Sequence, residues 1–244
     1  MPAPRGSGCG GCGERPCRQH RRRRGGQAGE QRFVLICSRS LSGLPCFAKA
    51  FLDRRCPALG YSGAGFVLLQ RMVEQKTGLP LAQYMDKEVF APLGMKNSSY
   101  ALSPGFELAA GHTKAGAVIP GKRNRYPESA AAGLYTNVLD LCRLVCYLNK
   151  AWTASGDIAG PLSKASTRTL LTAGPQPTMG RGFFIAGSGT NSFCYTHDGS
   201  NYGFKSVFKG YPQLGAGYAI LANGDNMNLV NEIASAIRSV YGWA

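Results

Sequence analysis

Nowhere does the chain approach the roughly 18 consecutive apolar residues that a membrane-crossing helix needs, so no segment reads as transmembrane. Its opening, MPAPRGSGCGGCGERPCRQHRRRR, has basic residues but no apolar core behind them, and so does not read as a secretory leader. By default this places the chain in the cytoplasm. Acidic residues are few, 13 against 28 Lys and Arg. The excess is uneven, because residues 1–60 hold 12 of the cations and 3 of the acids. The basic character belongs to the first quarter and implies no nucleic acid as a ligand of the remainder. No internal repeat is visible. Nine cysteines are present, six of them (Cys9, Cys12, Cys17, Cys37, Cys46 and Cys56) within the first 60 residues. An odd number at irregular spacing does not make a disulfide framework. Cys142 and Cys146, one helical turn apart in an apolar pattern, read as buried free thiols.

Aliphatic residues are almost missing from residues 1–32, so that segment is expected to be disordered. Cys9, Cys12, Cys17 and His20 offer four zinc ligands, and Arg21–Arg24 could hold phosphates. The ligand order is unusual for a zinc knuckle, however, and no aromatic residue stands by to stack a base. The expectation is therefore no structural zinc. Residues 33–58 are apolar enough to fold but keep no period of 2 or 3.6. A wrong start or a frameshift before Leu59 would account for both segments, since Gly, Arg, Pro and Ala are what GC-rich DNA encodes in almost any frame.

From Leu59 the pattern becomes regular, and 44% hydrophobic residues with 33 glycines fit a globular domain rich in turns. YSGAGFVLLQRMVEQKTGLP reads as a loop entering an amphipathic helix. Leu68, Leu69, Met72 and Val73 fall on its buried face, opposite Gln70, Arg71, Glu74 and Gln75. Gly78 and Pro80 end it. A short helix, LAQYMDKEVF, follows. The next begins at Thr136 or Asn137 and buries Leu141, Leu144, Val145 and Leu148. Another starts from Ser163. After Gly180 the period changes to that of strands: GFFIAG, SFCYTHDG, FKSVFKGY and GYAILANG, separated by glycine-rich turns, predict an antiparallel meander. A last helix carries Leu229, Val230, Ile233, Ile237 and Val240 on one stripe. Helices segregated from an antiparallel sheet make an α+β domain over residues 59–244.

Three blocks in this region, YSGAGFVLLQRMVEQKTGLPLAQYMDKEVFAPLGMKNSSY, AAAGLYTNVLDLCRLVCYLN and THDGSNYGFKSVFKGYPQLGAGYAILANGDN, resemble the beta-lactamase-related serine hydrolases. That group holds class C beta-lactamases, D-alanyl-D-alanine carboxypeptidases and EstB-type esterases. The resemblance implies a partial beta-lactamase/transpeptidase-like fold, an antiparallel sheet flanked by helices with a helical subdomain. It implies acyl transfer through a serine ester, with a beta-lactam, a D-Ala peptide or a simple ester as the small-molecule or peptide substrate, and neither metal nor organic cofactor. Members of the group typically work outside the cytoplasm.

By the same resemblance, Tyr61 matches the tyrosine of the Tyr-x-Asn motif, with Gly63 in the place of asparagine. His197-Asp198-Gly199 matches the third motif, where many members have His-x-Gly instead of Lys-Thr-Gly. The backbone N–H of Ser200 is then one of two oxyanion donors. The literal Lys76-Thr77-Gly78 is read instead as the end of a helix, its cation favourably placed against the dipole. The chemistry suits these residue types. A tyrosine, with an unperturbed pKa near ~10, acts as a base at neutral pH only beside a cation. A histidine can add a hydrogen bond of adjustable charge.

The nucleophile is the missing part. No Ser-x-x-Lys precedes Tyr61. Ser206-x-x-Lys209 lies in a strand pattern, where side chains three apart face opposite ways. Cys46-x-x-Lys49 stands too close to Tyr61 to leave room for the elements the family places between. Gly60-Tyr61-Ser62-Gly63-Ala64 approximates the nucleophile elbow of α/β-hydrolases, with Ser62 as nucleophile and His197 as base, but lacks a strong strand before it. A non-catalytic protein of the beta-lactamase-related fold is the other reading. The expectation is a chain of that family, truncated or altered at its N-terminus and inactive as written.

Overall fold

The structure, a computed structural model, describes residues 62–102 and 107–243. All of them fall in one compact unit, Ala48–Ala244. Tyr61 and the expectations for residues 1–58 lie outside the described residues.

Helix α1 (Gly63–Thr77) starts from Ser62, which is extended and accepts a hydrogen bond from the Gly65 N–H at 3.2 Å. It stops at Gly78, left-handed at φ 70°, whose N–H reaches the Glu74 carbonyl. Lys76-Thr77-Gly78 is thus a helix end, as the sequence implied. The expected burial of α1 is met only at Val73, which is half-buried. Leu68, Leu69 and Met72 are 56, 55 and 63% exposed, and the helix buries no residue. Its polar side makes the contacts instead: Gln70 Oε1 accepts from the Ala130 N–H at 3.2 Å and Glu74 Oε1 from the Leu81 N–H at 3.3 Å. Amphipathicity gives a helix two faces, but which one meets protein depends on neighbours that periodicity does not reveal.

Helix α2 (Leu81–Met85) passes through a π-helical turn (Asp86–Phe90) into α3 (Ala91–Leu93), burying Leu81 and Phe90. The short α4 (Ser129–Ala132) precedes α5 (Val138–Thr153), which Asn137 caps through the Asp140 N–H. Helix α6 (Lys164–Leu171) is capped by Ser163. Strands β1 (Phe184–Ala186), β2 (Cys194–Asn201), β3 (Phe204–Tyr211) and β4 (Ala216–Ala222) form one sheet in that order, every pair antiparallel. Helix α7 (Met227–Tyr241) closes the described chain. Among the described residues no helix is long and apolar enough to cross a membrane.

The two-residue period of β2 divides the core. Tyr195 joins Tyr147, Leu148 and Ala151 of α5, Leu171, Ile185 and Phe193 on one face. Cys194 joins Tyr211, Tyr218 and Ile220 with Val230 and Ala234 of α7 on the other. The Tyr195 hydroxyl, fully buried, donates toward the Val145 carbonyl and Asn149 Oδ1, each at 3.1 Å. Gly210, paired with it across the strands, makes room for the ring: a Cβ there would sit 2.3 Å from the Tyr195 ring carbon Cζ.

The α7 stripe is only partly buried. Val230 is enclosed, whereas Leu229, Ile233 and Val240 are exposed. β4 pairs with β3 on one edge and with no described strand on the other. Of the thiols, Cys194 is buried, Cys142 is half-buried and Cys146 is exposed, so the expected burial of the Cys142 and Cys146 pair is corrected. They lie toward the margin of the α5 contact with the sheet, where helical periodicity carries side chains out to solvent.

Candidate functional site

Strand β1 reaches along β2 only as far as Thr196, the partner of Phe184. Beyond it β2 continues from His197 to Asn201, with β3 on one edge and no described strand on the other. A β-strand edge without a partner presents backbone N–H and C=O groups in a fixed row. Backbone groups of alternate residues turn to opposite edges, and Asn201, Gly199 and His197 bond to Phe204, Ser206 and Phe208 of β3, so the groups at this edge are those of Asp198 and Ser200.

Alternation sends His197 and Gly199 to the side of the sheet that α5 covers, and Asp198 and Ser200 to the α7 side. His197 is half-buried, its ring centroid 6.1 Å from that of Phe184. Its Nδ1 lies 2.8 Å from the Asp198 carbonyl oxygen. A carbonyl accepts, so Nδ1 carries a proton and donates to it. Gly199 pairs with Ser206, whose Oγ would be 2.4 Å from any Cβ added at Gly199. Ser206 shares this side of the sheet, whereas Lys209 pairs with Thr196 on the other, so the two do not form a serine–lysine pair.

Helix α4 joins the head of α1 to the end of β2. Gly63 faces Ala131, and a Cβ added to it would make an ordinary van der Waals contact, 3.6 Å from the alanine methyl. On the other side, Asn201 Nδ2 donates to the Ala132 carbonyl at 3.0 Å. Lys205 Nζ reaches the Asn201 carbonyl at 3.1 Å and pairs with Asp225, fixing the hairpin end. Gly63 and the end of β2 are therefore linked through one short helix. Ser62 Oγ is engaged as the α1 cap. The sheet that follows is antiparallel, whereas a nucleophile elbow rises from a parallel one.

Sequence reasoning missed Asn201, Lys205 and Asp225. The contact from Asn201 to Ala132 spans 69 positions, and no local pattern marks it. A cavity of about 210 Å³ between the α2 region and α5, lined by Tyr84, Leu144, Tyr147 and Phe183 among others, touches none of these residues. Its lining is mostly apolar, and the chemistry-bearing groups stand on the β2 edge, so the edge is the better candidate. Among the described residues no group of three or more His, Cys, Asp or Glu is placed to hold a metal ion.

The family model described as Beta-lactamase matches residues 56–241. Three solved structures share the fold. The octameric penicillin-binding protein homologue from Pyrococcus abyssi is 23% identical at TM-score 0.56, over 68% of this chain and 39% of its own. The beta-lactamase/D-alanine carboxypeptidase from Pseudomonas syringae is 16% identical at TM-score 0.54, over 68% and 55%. The D-amino acid amidase from Ochrobactrum anthropi SV3 is 19% identical at TM-score 0.52, over 69% and 50%. The chain therefore spans between 39% and 55% of the length of these three structures. No curated protein matches it.

Proposed function

The chain belongs to the beta-lactamase family, and from that premise we propose that it carries the acyl-binding part of a serine-hydrolase site without completing the reaction. In this reading the carbonyl of a beta-lactam, a D-Ala peptide or an ester lies along the open edge of β2. The Ser200 N–H donates to its oxygen, and Gly199, lacking a Cβ, lets the ligand approach the backbone. His197 Nε2 faces the ligand as an acceptor when neutral and a donor when protonated. Tyr61, which precedes the Ser62 cap of α1 in the sequence, is the candidate base. The observation that carries the reading is the edge at Asp198 and Ser200, which meets no described strand, with the end of β2 linked through α4 to Gly63.

Hydrolysis would need a nucleophile that forms an ester and a cation that holds the tyrosine ionised. The chain has no Ser-x-x-Lys before Tyr61, so the proposed outcome is binding without turnover. Titrating the full chain with benzylpenicillin, followed by NMR at the His197 ring and the Ser200 amide, tests this. Saturable shifts at both, with the lactam intact, are expected. Unmoved resonances at millimolar ligand would refute it.

A further inference from the structure

The hollow between the α2 region and α5 is bounded on one side by the π-helical turn Asp86–Phe90 that follows α2. In a regular α-helix the residue five positions after Tyr84 turns away from it by about 140°. The wider i→i+5 winding of a π-helix brings that position back toward the same face. Tyr84, Glu88 and Val89 accordingly all line the hollow. Such turns are rare and recur at functional sites.

The opposite wall is fastened in place. The Tyr147 hydroxyl, on α5, donates to the Leu162 carbonyl at 2.5 Å and accepts from the Leu162 N–H at 2.8 Å. Gly160 lies so near the Tyr147 ring that an added Cβ would be 2.1 Å from its carbon Cε2. Leu144, Leu162, Leu170 and Phe183 line the space and stay half-buried around it rather than closing over it. The hollow measures about 210 Å³. Roughly 150 Å³ of apolar cavity is enough for a benzene ring. Water is a poor occupant, since it needs about two to four polar partners. The buried Tyr147 hydroxyl is already engaged as both donor and acceptor.

Charge selects among apolar ligands. Glu88 is the single ionisable acid in the lining, and no Lys, Arg or His lines the hollow. Its ion pair with Lys87 joins two exposed side chains, a contact weak enough to yield to another cation. The rings of Tyr84, Tyr147 and Phe183 add affinity for a flat apolar body and tolerate a cation beside it.

We propose that this hollow is a second binding site, for a small primary amine carried on a single-ring apolar body. The ring occupies the space between Leu144, Leu170 and Phe183, and the ammonium meets Glu88. The site is separate from the β2 edge and does not depend on that edge binding acyl groups.

The test titrates the full chain with phenethylamine, phenethyl alcohol and hydrocinnamate, which share a ring and differ in charge. Salt at about 0.15 M screens the chain's net positive charge, and the methyl resonances of Leu144 and Leu170 report binding. Saturable shifts are expected, with the amine binding at least about threefold more tightly than the alcohol and about tenfold more tightly than the carboxylate. Glu88 is exposed, so Glu88→Gln keeps the fold, and in it the amine and the alcohol should agree within about twofold. Leu144→Phe, which fills the space, should weaken all three probes while the far-UV circular dichroism stays unchanged. The absence of saturable leucine shifts at millimolar probe overturns the proposal. So does a carboxylate that binds as tightly as the amine, or an amine preference that survives Glu88→Gln. Shifts confined to the Ser200 amide would place the amine at the β2 edge and overturn it as well.

Discussion

Truncating Asp140 to alanine should be among the most damaging single changes in the described domain. The carboxylate is fully buried at the third position of α5. Its Oδ2 accepts from the Asn97 N–H at 2.7 Å and the Ser98 hydroxyl at 2.9 Å, and its Oδ1 from Arg143. Hydrogen bonds to a charged group contribute roughly 1.5–3 kcal/mol each, although the Arg143 bond, half-exposed, is nearer the ~0–1 kcal/mol of a surface pair. Ser98 keeps its partner Thr136 at 2.7 Å, but the Asn97 N–H loses its acceptor. The better helix propensity of alanine offsets about 0.5 kcal/mol, and the lost interaction with the helix N-terminus removes about as much. The net expectation for Asp140→Ala is a loss of about 3–4 kcal/mol, a large part of the roughly 5–15 kcal/mol that a domain has. Asp140→Asn, which can still accept on one oxygen, should lose about half of that, and Arg143→Ala less than about 1 kcal/mol. Urea denaturation followed by far-UV circular dichroism measures all three. A loss below about 1 kcal/mol for Asp140→Ala would refute the claim that this carboxylate ties Asn97 and Ser98 to α5.

Gly210→Ala should cost about 1–3 kcal/mol, because the Tyr195 ring it would strike is fully buried and hydrogen-bonded; an unchanged denaturation midpoint would show that the ring can move. Burial pushes the Tyr195 phenol above its usual range and Tyr211 up to about 12. Folded pKa values raised above the unfolded ~10 mean that stability is fully present below about pH 10 and lost as pH rises through the folded values. The urea midpoint should therefore fall between pH 9.5 and about 11, less steeply in Tyr195→Phe, and a flat profile would contradict this. The chain should self-associate through the open edge of β4, whose Tyr218–Ala222 stretch is uncharged and free of proline. A monodisperse monomer by size exclusion, with amide exchange across residues 217–222 strongly protected, would mean that the edge is already covered.

Elements whose signals are local were legible in the sequence. Asn137 and Ser163 cap the helices they were expected to cap, and Gly78 ends α1 in the left-handed conformation. FKSVFKGY corresponds to β3, Phe204–Tyr211, and the four strands follow one another as a meander. What failed depended on tertiary neighbours. Leu68, Leu69 and Met72 have the spacing of a buried face, yet the groups that hold α1 are Gln70 and Glu74. Nothing in the local sequence marks Asp140 as buried, but the loop at Asn97–Ser98, more than 40 positions away, encloses it. At the candidate site, the sequence marked His197–Ser200 through resemblance, and Asn201 emerged only once α4 was in place.

In the proposed function the β2 edge binds an acyl ligand and no serine–lysine pair precedes Tyr61. The most direct measurement is exposure of the purified chain to a fluorescent penicillin and to a fluorophosphonate probe, with any labelled residue mapped by mass spectrometry and nitrocefin turnover measured alongside. No serine adduct and no nitrocefin hydrolysis above the buffer rate are expected. A stoichiometric serine adduct with turnover would contradict this, and an adduct on Ser62 would transfer the chemistry to the head of α1.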